Sequence, residues 1–167
     1  MGRVNIKDSI GQRGESIFYV LMTRLYGRTV PIFRPQFLGD KWPIVDFIVE
    51  LTNYAGRMIP YCFIQIKTTR KGYTQQTRRL KVHLSLGEMQ RLALYPAPTY
   101  LVGIDEIAES GYLIAVNGQH QKGLTSLSTQ FPLDKETQDL LWQEVVDFWE
   151  KVDLSKKGSK FIDPAWR

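Results

Sequence analysis

Two short apolar runs separated by a turn constrain this chain more than any other feature. Ile44 to Leu51 alternates so that Asp46, Ile48 and Glu50 share one face of a strand, and Phe63, Gln65 and Lys67 share one face of a second. Between them, Thr52-Asn53-Tyr54-Ala55-Gly56-Arg57 carries turn-forming Asn and Gly, which predicts an antiparallel hairpin. With the two-fold centre between Ala55 and Gly56, Asp46 lies opposite Gln65, and directly opposed Cβ atoms are only about 5 Å apart. A single hard cation then reaches both a carboxylate and an amide oxygen. Lys67 stands one step along that face. Polar groups of three kinds on otherwise apolar strands require a reason beyond folding.

At 167 residues, with 43% hydrophobic content and eight Phe, eight Tyr and four Trp, the chain has enough apolar side chain for a full core. One domain over residues 1–154 is expected, followed by a basic tail over 155–167 in which Lys156, Lys157 and Lys160 precede Phe161, Ile162 and Trp166. Cys62 is the only cysteine, which excludes a disulfide framework and a Cys/His zinc constellation, so a reducing, cytoplasmic setting is expected. No apolar run is long enough to span a membrane, and Met1 to Asn5 leads into no signal-peptide core.

The first helix is expected to begin at Asp8 or Ser9 and run to about Tyr26, with Ile10, Gly14, Ile17, Phe18, Leu21 and Leu25 as its core stripe and Gly27 as its stop. Glu15 borders that stripe. Val30 to Arg34 reads as a short edge strand, and Gly39 to Pro43 as a turn in which Asp40 is a loop residue or an additional site acid. Leu80 to Leu84 alternates like a strand, and Ser85-Leu86-Gly87-Glu88 has the form of a capping box opening a helix that runs to about Tyr95. Thr99 to Ile104 and Gly111 to Val116 form a second hairpin around Asp105-Glu106, Asn117 to Phe131 is a loop, and Pro132 and Asp134 introduce a last helix. Its stripe is Leu141, Val145, Phe148, Trp149 and Val152.

Glu15, Asp46, Gln65 and Lys67, in that order, resemble the PD-(D/E)XK or restriction-endonuclease-like nucleases, and within them bacterial domains of unknown function with a Gln-x-Lys variant. The resemblance covers roughly the first two-thirds of the chain. In that family a first helix carries a Glu, a strand carries the Asp, and the next strand carries Glu-x-Lys or Gln-x-Lys. Two departures stand out. Pro43 precedes Asp46 by three residues instead of adjoining it, and Gln65 occupies the place of the usual second carboxylate. The resemblance implies an α/β restriction-endonuclease-like core, a central mixed β-sheet flanked by helices, and a metal-dependent endonuclease using Mg²⁺ or Mn²⁺, with roles in restriction, repair or phage defence. It further implies that Asp46 is the main metal ligand, that Gln65 donates its amide oxygen, and that the Ile66 carbonyl completes the protein's share. By the same resemblance Lys67 would orient the attacking water or stabilise the transition state, and Glu15 would hold a metal-bound water or a second ion. Gln in place of Glu removes one negative charge, so cation affinity falls unless Glu15 or substrate phosphates compensate.

The net charge of +5 is unevenly distributed. Leu51 to Gly87 contains no Asp or Glu but holds Arg57, Lys67, Arg70, Lys71, Arg78, Arg79 and Lys81, whereas Asp134 to Asp153 is rich in acids. Arg70, Lys71, Arg78, Arg79 and Lys81 are therefore the expected contacts to nucleic acid, with DNA favoured. His83 and His120 lack the spacing of paired metal ligands, and no phosphate-loop or serine-elbow motif is present. Gly11-Gln12-Arg13-Gly14 has the Gly-x-x-Gly form of a single-strand-binding loop but lacks room for that module's preceding helix. The alternatives are a nucleic-acid-binding module with weak or lost catalysis, and a protein-interaction subunit served by the acidic last helix and aromatic tail. A homodimer is left open.

Overall fold

The computed structural model describes residues 5–116, 122–153 and 160–166. Three helices, α1 (Ile6–Met22), α2 (Leu86–Ala93) and α3 (Lys135–Lys151), flank a five-stranded sheet. Its strands are β1 (Phe33–Phe37), β2 (Phe47–Leu51), β3 (Tyr61–Thr69), β4 (Thr99–Asp105) and β5 (Ser110–Ala115), and they lie side by side in chain order. Only β3 and β4 are parallel, so the sheet is mixed and the fold is α/β. A parallel pair cannot be joined by a tight turn, and the segment that crosses over carries α2.

The hairpin of β2 and β3 has the register expected from its turn. Phe47 pairs with Ile64, eight residues before Ala55 and eight after Gly56. Strand parity then sorts the core. Phe47, Val49, Ile64 and Val102 face Phe18 and Met22 of α1 and Leu141 and Val145 of α3 in one cluster. Phe63 and Leu101 face the other way, against Leu80, Leu84, Leu127 and the α2 residues Met89 and Leu92. The sheet is thus buried on both faces, and β3 lies at its centre.

Several element boundaries differ from the sequence expectation. Asn5, rather than Asp8 or Ser9, caps α1, its side chain accepting the Lys7 N–H. The helix stops at Met22, with Thr23 Oγ1 donating to the Tyr19 carbonyl at 2.7 Å, so Leu25 is left outside it and exposed. The first strand starts at Phe33 and remains an edge strand, which accommodates Pro35. Leu80 to Leu84 is not a strand. Its alternation is real, with Leu80, Val82 and Leu84 buried, but Leu80 makes isolated bridges to Tyr73 and Leu127 and Leu84 one to Leu124 instead of joining a ladder. The capping box at Ser85 and Glu88 is present, and α2 ends at Ala93. In α3, Asp134 is the N-cap, and Phe148 is exposed rather than core. Gly11 and Gly14 both lie inside α1, which removes the Gly-x-x-Gly loop reading. His120, Lys156 and Lys157 lie outside the described residues, and Lys160 is exposed. Among the described residues no helix is long and apolar enough to cross a membrane.

Candidate functional site

The regular β2–β3 ladder stops at Phe47, and Asp46 is bound in a different way. Its N–H donates to the Ile64 carbonyl and its own carbonyl accepts the Leu38 N–H, each at 2.9 Å. Its side chain supplies what the ladder no longer does: Asp46 Oδ2 accepts the Ile66 N–H at 2.6 Å and the Gln65 Nε2–H at 2.9 Å. Two residues upstream, Ile44 has φ of +67°, a left-handed conformation costly for a β-branched residue. Backbone strain of this kind persists only where surrounding contacts enforce it. Here Trp42 packs 5.5 Å from Phe63, and the Tyr95 hydroxyl donates to the Pro43 carbonyl at 2.9 Å.

Because β3 continues to Thr69, its last residues project past the start of β2. A cleft of about 540 Å³ opens there, with Glu15 on α1, Asp46, and Lys67 on β3 among its walls. Helix spacing adds Lys7 and Gly11 to the face that carries Glu15, since positions four apart are neighbours. Lys71 also lines it. Three of the four expected site residues therefore line one cleft. Gln65 does not; it is buried behind Asp46, where Nε2 also donates to the Ile66 carbonyl at 3.0 Å. Its Oε1 is buried without a hydrogen-bond partner.

The carboxyls repel one another. Burial raises the Glu15 carboxyl above its ordinary value, and the charges of Asp46 and Asp40 raise it further. Burial likewise raises Asp46, partly offset by the Ile66 N–H and by Lys67, and reinforced by Asp40. Asp40, in the 3-10 turn Gly39–Lys41, is exposed and adds negative charge near both acids without itself lining the cleft. The Lys67 ammonium pairs with Glu88 Oε1 at 2.8 Å. Burial pushes the Glu88 carboxyl up, but hydrogen bonds from Lys67 and Ser85 together with the Lys67 charge outweigh it and bring the carboxyl down to about 2.

Sequence reasoning missed the site role of Glu88, because the capping box already accounted for it. It also passed over Lys7, although its spacing of eight from Glu15 places both on one helical face.

The basic stretch divides. Arg70 is engaged by Glu106, Nη2 donating to Oε1 at 2.9 Å, and Arg79 donates through Nε and Nη2 to Ser126, both at 2.9 Å. Both guanidiniums are thus tied to the fold, and Arg70, which stays exposed, also lines the cleft. Arg78, Lys71 and Lys81 are exposed. Arg78 also has φ of +48°, its carbonyl accepting the Thr129 hydroxyl at 3.1 Å, so its backbone is fixed while its side chain is not buried.

Among the described residues, no group of three or more His, Cys, Asp or Glu side chains is arranged to hold a metal ion. A hard cation would have to combine Asp46 and Glu15 with neutral oxygens. The Ile66 carbonyl is such an oxygen, and the partnerless Gln65 Oε1 becomes one when the amide turns over, since as placed its NH₂ faces Asp46 Oδ2 and the Ile66 carbonyl; both oxygens suit Mg²⁺ or Mn²⁺ better than a softer ion. Comparison with protein-family models, with curated proteins and with solved structures finds no match to this chain.

Proposed function

We propose that the protein is a metal-dependent nuclease of the PD-(D/E)XK, restriction-endonuclease-like kind, hydrolysing phosphodiester bonds of nucleic acid, with DNA the preferred substrate. One observation carries this reading: Glu15, Asp46 and Lys67 line a single cleft, and the Asp46 carboxylate is hydrogen bonded to the Gln65 amide. Residues spread over 52 positions are gathered there from a helix, the residue just before β2 and the end of β3. The mixed sheet flanked by helices is the architecture the resemblance implies.

Asp46 would be the main ligand of Mg²⁺ or Mn²⁺, with Glu15, Gln65 Oε1 and the Ile66 carbonyl completing the protein's share. When bound, such an ion supplies Lewis acidity at a phosphoryl oxygen and makes a bound water more acidic. The chain's own side chains supply the rest. Lys67 places a positive charge where negative charge develops as the phosphorus is attacked, and it is held there by an ion pair. Glu15, raised by burial and by its acidic neighbours, is suited to hold a proton of the attacking water. Lys7 and Lys71, which also line the cleft, match the charge of a phosphate backbone passing through it.

The test is cleavage of double- and single-stranded DNA and RNA with Mg²⁺ or Mn²⁺, beside Asp46→Asn and Lys67→Ala. Asparagine keeps an oxygen for the Ile66 N–H while removing the charge, so the fold is preserved. Both variants are expected to lose at least about 100-fold in rate. A wild type that cuts no substrate with either metal leaves the nucleic-acid-binding module as the better reading, favoured by the exposed Arg78, Lys71 and Lys81.

A further inference from the structure

Glu88 is joined to two things at once. Oε2 accepts the N–H of Ser85, the N-cap of α2, at 2.8 Å, while Oε1 accepts from the Lys67 ammonium at 2.8 Å. The Ser85 hydroxyl in turn accepts the Glu88 N–H at 3.2 Å. Closing the helix uses only one carboxylate oxygen, and a Gln there would do it equally well. The second oxygen has no part in the helix. It reaches across to Lys67 near the end of β3, the cleft cation whose charge lowers the Asp46 carboxyl.

Lys67 shares the cleft with Asp46 and is paired with Glu88, and its four-carbon side chain is flexible. We propose that Glu88 is the positioning residue of this cleft: it holds the Lys67 ammonium at a place set by the N-terminus of α2 and keeps it from closing onto Asp46. The inference rests on the phosphodiesterase reading for its consequence, since an ammonium paired to Asp46 would cancel the charge that a cation needs. Both Lys67 and Glu88 are about three-quarters buried at the side chain, with 27% and 28% exposed, so solvent screens the pair less than at the surface. The helix contributes rigidity. Glu88 cannot swing away from Lys67 without opening the capping box.

Glu88→Gln separates the two roles. The amide oxygen still accepts from the Ser85 N–H, but its NH₂ then faces the ammonium and repels it. With ¹³C-labelled lysine, the Lys67 ε-methylene protons are expected to be inequivalent in the wild type and to merge in Glu88→Gln, while α2 amides keep their exchange protection. Ser85→Ala is the converse control: α2 protection falls and the Lys67 signal stays split. In cleavage, Glu88→Gln is expected to lower kcat by about 10- to 100-fold with little change in KM, the signature of a displaced group rather than of weaker substrate binding. A Lys67 signal that is averaged in the wild type, or still split in Glu88→Gln, overturns the inference whatever the enzyme cuts. So does an unchanged kcat once Lys67 has been released. A wild type that cuts nothing while the Lys67 signal depends on Glu88 overturns the nuclease reading instead, and leaves Glu88 as the anchor of Lys67.

Discussion

Gly14 of α1 lies so close to Thr68 of β3 that a Cβ added to it would stand 1.7 Å from Thr68 Oγ1. This contact sets the depth at which α1 rests on the sheet, and Glu15 is the next residue along. Gly14→Ala is expected to destabilise the protein by about 1–3 kcal/mol, because helix and strand must part to admit the methyl group. Adding Thr68→Ala removes the nearest atom and should restore part of that loss. Urea denaturation of the single and double variants is the measurement; a Gly14→Ala midpoint equal to the wild type would mean that α1 does not sit as closely as described.

The acids of the cleft predict a pH dependence of definite sign. Glu15 is raised above its ordinary 4.5, first by burial, then by Asp46 and Asp40. The folded protein therefore binds that proton more tightly than the unfolded chain does. Ionised Glu15 weakens the fold at neutral pH, and the penalty fades as the pH falls through the folded value and is gone below 4.5. Glu15→Gln should melt higher than the wild type at pH 7, with the difference closing in acid. Melting curves across that range test it, and a variant less stable than wild type at pH 7 would contradict the repulsion.

Gln65→Glu places a second carboxylate against Asp46 Oδ2, where an amide NH₂ now bridges that oxygen and the Ile66 carbonyl. Without a divalent cation the variant should be less stable than the wild type at neutral pH, because a hydrogen bond has become a repulsion. Added Mg²⁺ should recover the loss, with binding tighter on the order of tenfold. Calorimetric titration with Mg²⁺ decides the matter. Equal, weak binding by both proteins would remove Gln65 from the ligand set.

Reversing charge at exposed and engaged cations should have different results. Arg78→Glu with Lys81→Glu is expected to weaken DNA binding and to flatten its salt dependence, each lost phosphate contact lowering the slope by about 0.9. Arg79→Glu should instead reduce stability, since Arg79 Nε and Nη2 hold Ser126. Filter binding at several salt concentrations and a thermal melt separate the two effects.

The hairpin register was legible because turn chemistry and two apolar parities all point to one centre, between Ala55 and Gly56. Asp46 and Gln65 followed from it. The tail of the basic stretch was not legible in the same way, because a guanidinium seeking phosphate and one seeking a distant backbone carbonyl have the same sequence. Arg79 finds its partner 47 positions away. Leu80 to Leu84 misled for a related reason: alternation records which side chains are buried, whereas a strand also needs a neighbouring strand of matching length, and the partners here are single residues. Glu88 was hidden behind a local explanation that is itself correct, a helix cap.

Glu106, only 2% exposed, sits at the β4–β5 turn and takes Arg13 from α1 at 3.0 Å and Arg70 from the end of β3. Arg13 also reaches Glu109 at 2.6 Å. This fastens the middle of α1 to the sheet, next to the Gly14 contact, while the opposite end of the helix begins at the exposed Asn5 and Ile6. Glu15, one residue from Gly14 and two from Arg13, is therefore anchored to the sheet through its neighbours' contacts, whereas Lys7 stands on the exposed first turn of the same helix.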